Sequence, residues 1–395
     1  MFRLVLPRRW PVPVRCQLKN ESKVEHLSPH ALLIPPPGRA SSSLPHSPPQ
    51  PPPSAPELSS AGQPATMAPL FLLALLLVAP AVHCSPTMVN QGDLQALLRV
   101  KQSLGNPATL KTWSAASPNY CAWDHVRCDE AGRVNNVFID GADDVHGQIP
   151  SAIAGLTQLM SLSLFRLPGL QGAIPPCLTT LANLQFLTIS HSNVSGPIPD
   201  SLAKLHSLDS VDLSNNKLTG SIPNTFADLP NLRSLDLRRN QLTGSIPASL
   251  VQGQFRSLIL SYNQLTGPIP RDDAQDEINT VDLSHNKLTG DASFLFSEGR
   301  PIGKVDLSWN NLEFDLSTLV FPKDLTYLDL SHNRIRGTVP KSLEQLSTLQ
   351  TLDLSYNQLC GPLPKLHGVM RHGCKPYLHN QCHSGAPLEG SCHQL

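Results

Sequence analysis

The stretch VDLSNNKLTGSIP at residues 211–223 returns almost unchanged as LDLRRNQLTGSIP from Leu235, VDLSHNKLTG from Val281 and LDLSYNQLCGPLP from Leu352. Aligned on L-x-L-x-x-N-x-L, the pattern places an asparagine at Asn216, Asn240, Asn263, Asn286, Asn310, Asn333 and Asn357, at intervals of 23 or 24 residues. A unit this short cannot bury its own apolar face. It folds only by stacking on copies of itself, so the chain must be a solenoid stabilised by nearest-neighbour contacts. The repeated letters build the scaffold, and the letters that change between them are free to serve function.

The period and spelling are those of a leucine-rich repeat. Val211 and Leu213 lie two apart, so they point to one side of a short strand, toward the core. Asn216 turns the chain, and its amide is suited to bond backbone groups that would otherwise be buried unpaired. Leu218 and Ile222 carry the core around the coil, and Gly220 permits a conformation that other residues resist. Pro223 ends a second extended stretch, and Leu229 and Leu232 follow on the outer side. About ten coils fit between residues 134 and 364. The early ones are degenerate. VFIDGADDVHGQIP lacks the ladder asparagine, LSLFRLPGLQGAIP carries an extra residue, and LTISHSNVSGPIP puts Ser192 at the ladder position. The section near Asp291 lacks the Ile-Pro ending.

The formal net charge is zero, so neither nucleic acid nor an anionic membrane is called for as partner. Of 38 prolines, fifteen fall in residues 1–66, a stretch with little to bury that is expected to be disordered. Residues 67–84 read as a signal peptide. The apolar run at 70–78 is too short to span a bilayer, which takes ~20 residues, and cleavage is expected after Cys84. We expect translation to start at Met67. The other reading makes Arg3, Arg8, Arg9 and Arg15 part of a targeting extension. No later stretch approaches 18 apolar residues, so the expectation is a secreted, extracellular chain without a membrane anchor. Its parts would be an N-terminal cap at 85–133, repeats at 134–364 and a C-terminal cap at 365–395.

The LxGxIP endings are those of the plant-type repeat, in which a second short sheet follows the first. The segment GDLQALLRVKQSLGNPATLKTWSAASPNYCAWDHVRCD resembles the N-terminal cap of plant extracellular repeat proteins. Together with GDASFLF, FDLSTLVFPKDLTYLDLSHNRI, NQLCGPLP and HNQCHSGAPL, it makes the chain from about Gln91 to Cys392 similar to the polygalacturonase-inhibiting proteins. The resemblance implies an α/β repeat solenoid, a right-handed curved superhelix with a concave parallel β-sheet, a second short sheet and disulfide-bonded caps. It also implies a cell-wall defence protein with no enzymatic activity and no cofactor.

In the front cap, an amphipathic helix around residues 93–104 would place Leu94, Leu97, Leu98 and Leu104 on one side, over Trp113 and Trp123. Cys121 and Cys128 are expected to bridge, as a secreted chain permits. The family's second front bridge would fall near Val89 and at Tyr120, and both cysteines are absent here, which points to a less robust cap. At the rear, Cys360 and Cys382 match a family bridge. The cysteine expected at Ser384 is missing and Cys374 is extra, so Cys374 is expected to pair with Cys392. Cys177 is then left over, as a small inert core residue. The tail's His372, Cys374, His379, Cys382 and His383 fit no standard zinc spacing, and no metal is expected. Asn193-Val194-Ser195 is a glycosylation sequon. Asn20-Glu21-Ser22 also matches but lies in the leader.

In x-L-x-L-x the alternate side chains leave the core, and stacking aligns equal positions in columns ~4.8 Å apart. The column between the leucines reads Asp212, Asp236, Ile259, Asp282, Asp306, Asp329, Asp353. The one before it reads Ser210, Ser234, Ser257, Thr280, Lys304, Tyr327, Thr351. The one after it reads Ser214, Arg238, Ser261, Ser284, Ser308, Ser331, Ser355, and all three are expected on the concave face. At the strand exit stand His191, Asn215, Arg239, Tyr262, His285, Trp309, His332 and Tyr356. LDLS is common in such repeats, and most of these residues read as solvated filler. Yet aligned like charges repel, so the aspartates are not expected to serve stability. The exit stripe also has the composition of binding hot spots.

Three functions follow as candidates. The concave face binds a polygalacturonase of fungal or insect origin through Asp212, Asp236, Arg238, Arg239, Ile259, Tyr262, Asp282, His285, Asp306, Trp309, Asp329 and His332, and blocks its cleft. Alternatively, the chain is a signalling or developmental regulator that binds a receptor ectodomain or peptide. An enzyme is disfavoured, because no catalytic motif is present and the Asp and His residues recur with the coil. Direct binding of pectin (homogalacturonan) by Arg238 and Arg239 is a secondary expectation, since guanidinium forks suit carboxylates.

Overall fold

The structure, a computed structural model, describes residues 90–251, 255–271, 278–297, 299–364 and 374–384. All lie in the second of the chain's two units, Ala81–Leu395. The leader, the signal segment, Cys84 and Cys392 lie outside the described residues.

An eleven-stranded sheet runs the length of the repeats. Its first strand, Val126–Cys128, pairs antiparallel with Val134–Asp140 and belongs to the cap. The ten that follow, from Val134–Asp140 to Thr351–Asp353, are parallel neighbours, one per coil. Short second-sheet strands such as Asn193–Pro197 and Lys217–Thr219 pair across coils, as the plant-type ending implies. The pairing keeps equal positions side by side: Val211 with Leu235, Leu235 with Leu258, Leu258 with Val281. These and Leu213, Leu218 and Ile222 are buried in one continuous core, each stabilising its coil by ~1.5–3 kcal/mol.

The ladder asparagine is the cross-link between coils. Asn216 shares its Nδ2 hydrogens among Ile189 O of the preceding coil at 2.7 Å, Leu213 O at 3.0 Å and Ser214 O at 3.1 Å. Its Oδ1 accepts Val194 N–H at 3.2 Å. The same set recurs at each ladder asparagine, and once more than the repeat pattern indicated. Asn380, 23 residues past Asn357, donates to Leu354 O, Tyr377 O and Leu378 O and accepts from Leu359 N–H. The rear cap therefore opens as a truncated eleventh coil. Gly220 has φ +79°, the left-handed conformation its position requires.

In the front cap the helix runs Gln91–Ser103, with Asn90 as N-cap bonding Asp93 N–H. Trp113 and Trp123 stack at 6.0 Å beneath it. The Cys121–Cys128 and Cys360–Cys382 bridges are both present. Tyr120 stands where the family resemblance expects a cysteine. Its ring is buried, and its hydroxyl donates to Gly132 O at 2.8 Å and accepts Asn90 N–H at 3.1 Å. Burial raises the phenol pKa, which keeps the proton on the donor. Asp93, buried, holds Arg133 at 2.8 Å and accepts Val134 N–H at 3.0 Å, fastening the helix to the first coil. The cap in which the resemblance expects a second bridge is thus fastened by hydrogen bonds and a buried ion pair.

Two cysteine readings also change or stay partial. Cys177 is the free cysteine among the described residues, but it is half-exposed on an outer 3-10 turn, Pro176–Thr180, rather than in the core. Its neighbour Leu178 takes the inward position instead. Cys374 is disulfide-bonded, while its expected partner Cys392 is outside the described residues.

Candidate functional site

The concave face is built by the residues that alternate with the core positions. Register holds the acidic column in line: Asp212 beside Asp236, Asp236 beside Ile259, then Asp282, Asp306, Asp329 and Asp353. All seven are half-buried. Each aspartate also has a local duty. Its Oδ1 accepts the N–H two residues on, at 2.9 Å from Ser214, 3.0 Å from Arg238, 3.2 Å from Ser284, 3.1 Å from Ser308, 2.9 Å from Ser331 and 2.9 Å from Ser355. The view that this row does nothing for stability is therefore corrected: one oxygen turns the strand, while the other meets Ser190 at Asp212, Arg238 at Asp236, Ser261 at Asp282 and Tyr327 at Asp306.

The column after it is corrected too. Ser214, Ser261, Ser284, Ser308, Ser331 and Ser355 are buried rather than displayed. Ser261 Oγ reaches Asp282 at 3.1 Å, and Ser284 and Ser308 bond their own aspartates at 2.7 Å. Arg238 is the exception in that column. Its side chain remains 43% exposed and pairs with Asp236 at 3.2 Å.

Stacked carboxylates in a partly dry groove resist ionisation. Burial pushes Asp236 up to about 6 despite Arg238, with Asp212 and Asp282 adding repulsion. Burial likewise pushes Asp329 up to about 6, against the bonds from Ser331, and raises Asp306.

The exit column has a backbone peculiarity that its letters did not announce. Arg166, His191, Asn215, Arg239, Tyr262, His285, Trp309, His332, Tyr356 and His379 all have φ between 52° and 56°. Left-handed backbone at a bulky residue costs on the order of 1–3 kcal/mol. The N–H of each member from Arg239 to Tyr356 is fixed to the next coil, as in Trp309 to Ser331 O at 3.0 Å and His332 to Ser355 O at 3.0 Å. This turn aims the side chains into one file.

From Arg239 onward that file is continuous. The Arg239 guanidinium lies 4.1 Å from the Tyr262 ring centre. Tyr262 stacks on His285 at 4.0 Å, His285 on Trp309 at 5.3 Å, Trp309 on His332 at 3.7 Å, His332 on Tyr356 at 4.0 Å and Tyr356 on His379 at 4.1 Å. Trp309 is half-exposed at its rim, and Tyr262 and Tyr356 are nearly as open. Burial lowers the pKa of His285 and His332, so both are neutral rings at pH 7. His379, one of the tail histidines weighed for metal binding, is the last ring of the stack.

The expected site residues therefore divide into two parallel rails. Asp212, Asp236, Ile259, Asp282, Asp306 and Asp329 form one. Arg239, Tyr262, His285, Trp309 and His332 form the other, with Arg238 leaning onto the first. Sequence reasoning missed His379 and the face of the first coils, where Phe138, Ser163 and Thr188 continue the acidic column and Phe165 and Phe186 flank it. Counting back from the strand pairs without the ladder asparagine would have found the phenylalanines. Asn193 is half-exposed at the start of a second-sheet strand, its Nδ2 bonded to Pro168 O at 2.7 Å.

Comparison with known proteins agrees with this architecture. A family described as Leucine rich repeat matches residues 182–242, 207–265 and 304–359, and one described as Leucine rich repeat N-terminal domain matches 90–129. Polygalacturonase inhibitor 1 of Oryza sativa subsp. japonica is 79% identical over 331 residues, covering 82% of this chain and 98% of that protein. Polygalacturonase inhibitor of Vitis vinifera is 49% identical over the same shares. Among solved structures, a plant ice-binding protein superposes with a TM-score of 0.70 at 40% identity, over 75% of this chain and 96% of that one. No helix among the described residues is long and apolar enough to cross a membrane. On these likenesses the chain belongs to the polygalacturonase inhibitor family of leucine-rich repeat proteins, and it is not an enzyme.

Proposed function

We propose that this chain is a secreted plant-defence protein that binds fungal or insect polygalacturonases on its concave face and blocks their pectin cleft. The observation that carries the reading is the pair of rails. A half-buried row of carboxylates runs beside a continuous row of rings with exposed rims. A cleft made to hold a polyanion is rimmed with basic side chains, which such a row would meet. Exposed Trp and Tyr supply large contact area at low entropic cost, as hot-spot residues do. The mechanism is steric occlusion, with no bond made or broken.

Homogalacturonan is the secondary partner in this reading. Arg238 and Arg239 are the cations a uronate would meet, but one is paired to Asp236 and the other lies over Tyr262. Binding there is expected to be weak and sensitive to salt. Asn193 carries the glycan. Its side chain lies away from both rails, and treatment with a glycosidase that removes N-linked sugars should lower the mass without changing inhibition.

The test is direct. Residues 85–395, expressed in a secreting plant host, are added to a panel of fungal endopolygalacturonases, and released reducing ends are measured. Dose-dependent inhibition of at least one enzyme is expected. A folded, glycosylated protein that inhibits none, and that recovers a receptor ectodomain from wall extracts, would replace this reading with the signalling one.

A further inference from the structure

The first three coils present a different chemistry on the same sheet. Their positions in the acidic column are Phe138, Ser163 and Thr188, so no carboxylate appears there until Asp212. Phe165 and Phe186 stand beside them, and Phe186 is among the most exposed large apolar side chains of the described residues, at 44%. The Arg127 guanidinium lies 5.4 Å from the Phe138 ring centre and that of Arg166 lies 5.0 Å from Phe165. Arg166 is paired with Asp140 at 3.0 Å, while Arg127 has no carboxylate partner among the described residues. The patch is apolar with a cationic edge, opposite in sign to the rails of the later coils.

We propose that the concave face binds its polygalacturonase at two subsites, the rails taking a basic rim and the Phe138–Phe165–Phe186 patch taking an apolar, acid-flanked segment of the same enzyme. This rests on the reading that the concave face is the inhibitory surface. Geometry makes one partner sufficient for both. Phe186 and Asp282 are four strand spacings apart along the sheet, ~19 Å. Specific interfaces cover ~800 Å² per partner, a patch roughly 30 Å across. From Phe138 to Asp282 is six strand spacings, ~29 Å, so a body centred near Asp212 reaches both subsites. Charge complementarity sets the orientation. A basic rim is repelled by Arg127 and attracted by Asp282 and Asp306, so only one docking direction satisfies both ends.

Apolar and charged contacts leave different kinetic marks. Charge steers association and is screened by salt, whereas desolvated apolar contacts govern dissociation. The experiment uses a fungal endopolygalacturonase that the wild-type protein inhibits, immobilised for association and dissociation measurements at two salt concentrations. Phe165→Ala with Phe186→Ala is expected to raise the dissociation rate ~10–100-fold, leaving the association rate and its salt dependence within about twofold. Asp282→Asn with Asp306→Asn is expected to do the reverse, lowering association and flattening its salt dependence. Phe165→Leu with Phe186→Leu guards against a folding defect, and its dissociation rate should fall between wild type and the alanine pair. Dissociation of the folded alanine pair within twofold of wild type overturns the second subsite and leaves the inhibitory reading standing. Failure of the wild-type protein to bind any enzyme of the panel overturns both.

Discussion

The first three coils and the seven that follow share one fold and differ in almost everything written on it. Early coils place Ala142, Leu167 and Ser192 at the ladder position, where later ones place asparagine. Ser192 Oγ manages one bond to Ser190 O at 3.2 Å and one from Leu167 N–H at 3.4 Å. Asn310 serves four backbone groups on two coils, Leu283 O, Leu307 O, Ser308 O and Leu288 N–H. The faces differ in parallel: phenylalanine with arginine early, aspartate with stacked rings late. Phe165 and His191 meet edge to face at 5.0 Å, whereas the rings from Tyr262 to His379 lie nearly parallel. The lesson is that the stacked core tolerates two ways of closing a coil, and that the surface is free to change sign along a single sheet.

The largest test of that contrast is at the ladder. Asn310→Ala leaves the Leu288 N–H buried without a partner and takes one of two donors from Leu283 O, Leu307 O and Ser308 O, so it should cost ~2–5 kcal/mol, of which the orphaned N–H accounts for ~1–3 kcal/mol. Ser192→Ala should cost roughly 1 kcal/mol or less. Equal losses in denaturant melts would abolish the distinction. Next in size is the cap that holds the early coils. Tyr120→Phe removes a hydroxyl bonded to Asn90 and Gly132 and should cost ~1–3 kcal/mol. Amide exchange is expected to quicken first around residues 90–133 while the later coils stay protected.

Trp309→Asn separates display from scaffold. Asparagine accepts the left-handed backbone that Trp309 endures, so stability should hold or rise slightly. The stack is cut between His285 and His332, and inhibition should weaken ~10–100-fold. A variant that inhibits like wild type would demote the ring file to scaffold.

The smallest effect concerns pH. Asp236 and Asp329 titrate near 6 in the folded chain, above the ~3.9 of an unfolded aspartate. A raised carboxyl pKa means the folded state holds more protons between those values. Its contribution is fully present below ~3.9 and is lost as pH rises through about 6. Asp236→Asn with Asp329→Asn keeps the acceptor oxygen and removes the charge. It should melt a few degrees higher than wild type at pH 7.5, and the gap should close near pH 4. The early coils have no such carboxylates in the column, and Thr188→Val should show no pH-dependent difference. His285 and His332, held below their ordinary pKa by burial, act in the opposite sense and destabilise the fold as pH falls below ~6.5.

Much of this was legible in the letters. Ten coils and the in-line aspartates follow from a period that occurs many times over, whereas the Cys121–Cys128 bridge followed from closeness in sequence and Cys360–Cys382 from the family resemblance. What escaped was geometry that a period does not encode. The serine two positions past the aspartate looked like one more outward position, but the chain turns there, and the left-handed residue three positions past the aspartate shifts the outward direction to itself. The ring stack needed that turn to be visible. Tyr120 looked like a loss because only covalent ties are spelled in cysteines, whereas a buried hydroxyl with two partners is not. Asn380 was hidden because the truncated coil before it, KPYLHN, keeps the asparagine and drops the leucine spelling.

The most direct test of the central claim is an inhibition titration of wild type against Asp236→Asn, Asp282→Asn and Asp306→Asn combined, with one sensitive fungal endopolygalacturonase at low and high salt. The rails predict that the triple variant folds as well as wild type, inhibits at least tenfold more weakly at low salt, and converges with wild type at high salt, where the carboxylates are screened. Equal inhibition at both salts, by a folded triple variant, would contradict the assignment of the later concave face as the inhibitory surface.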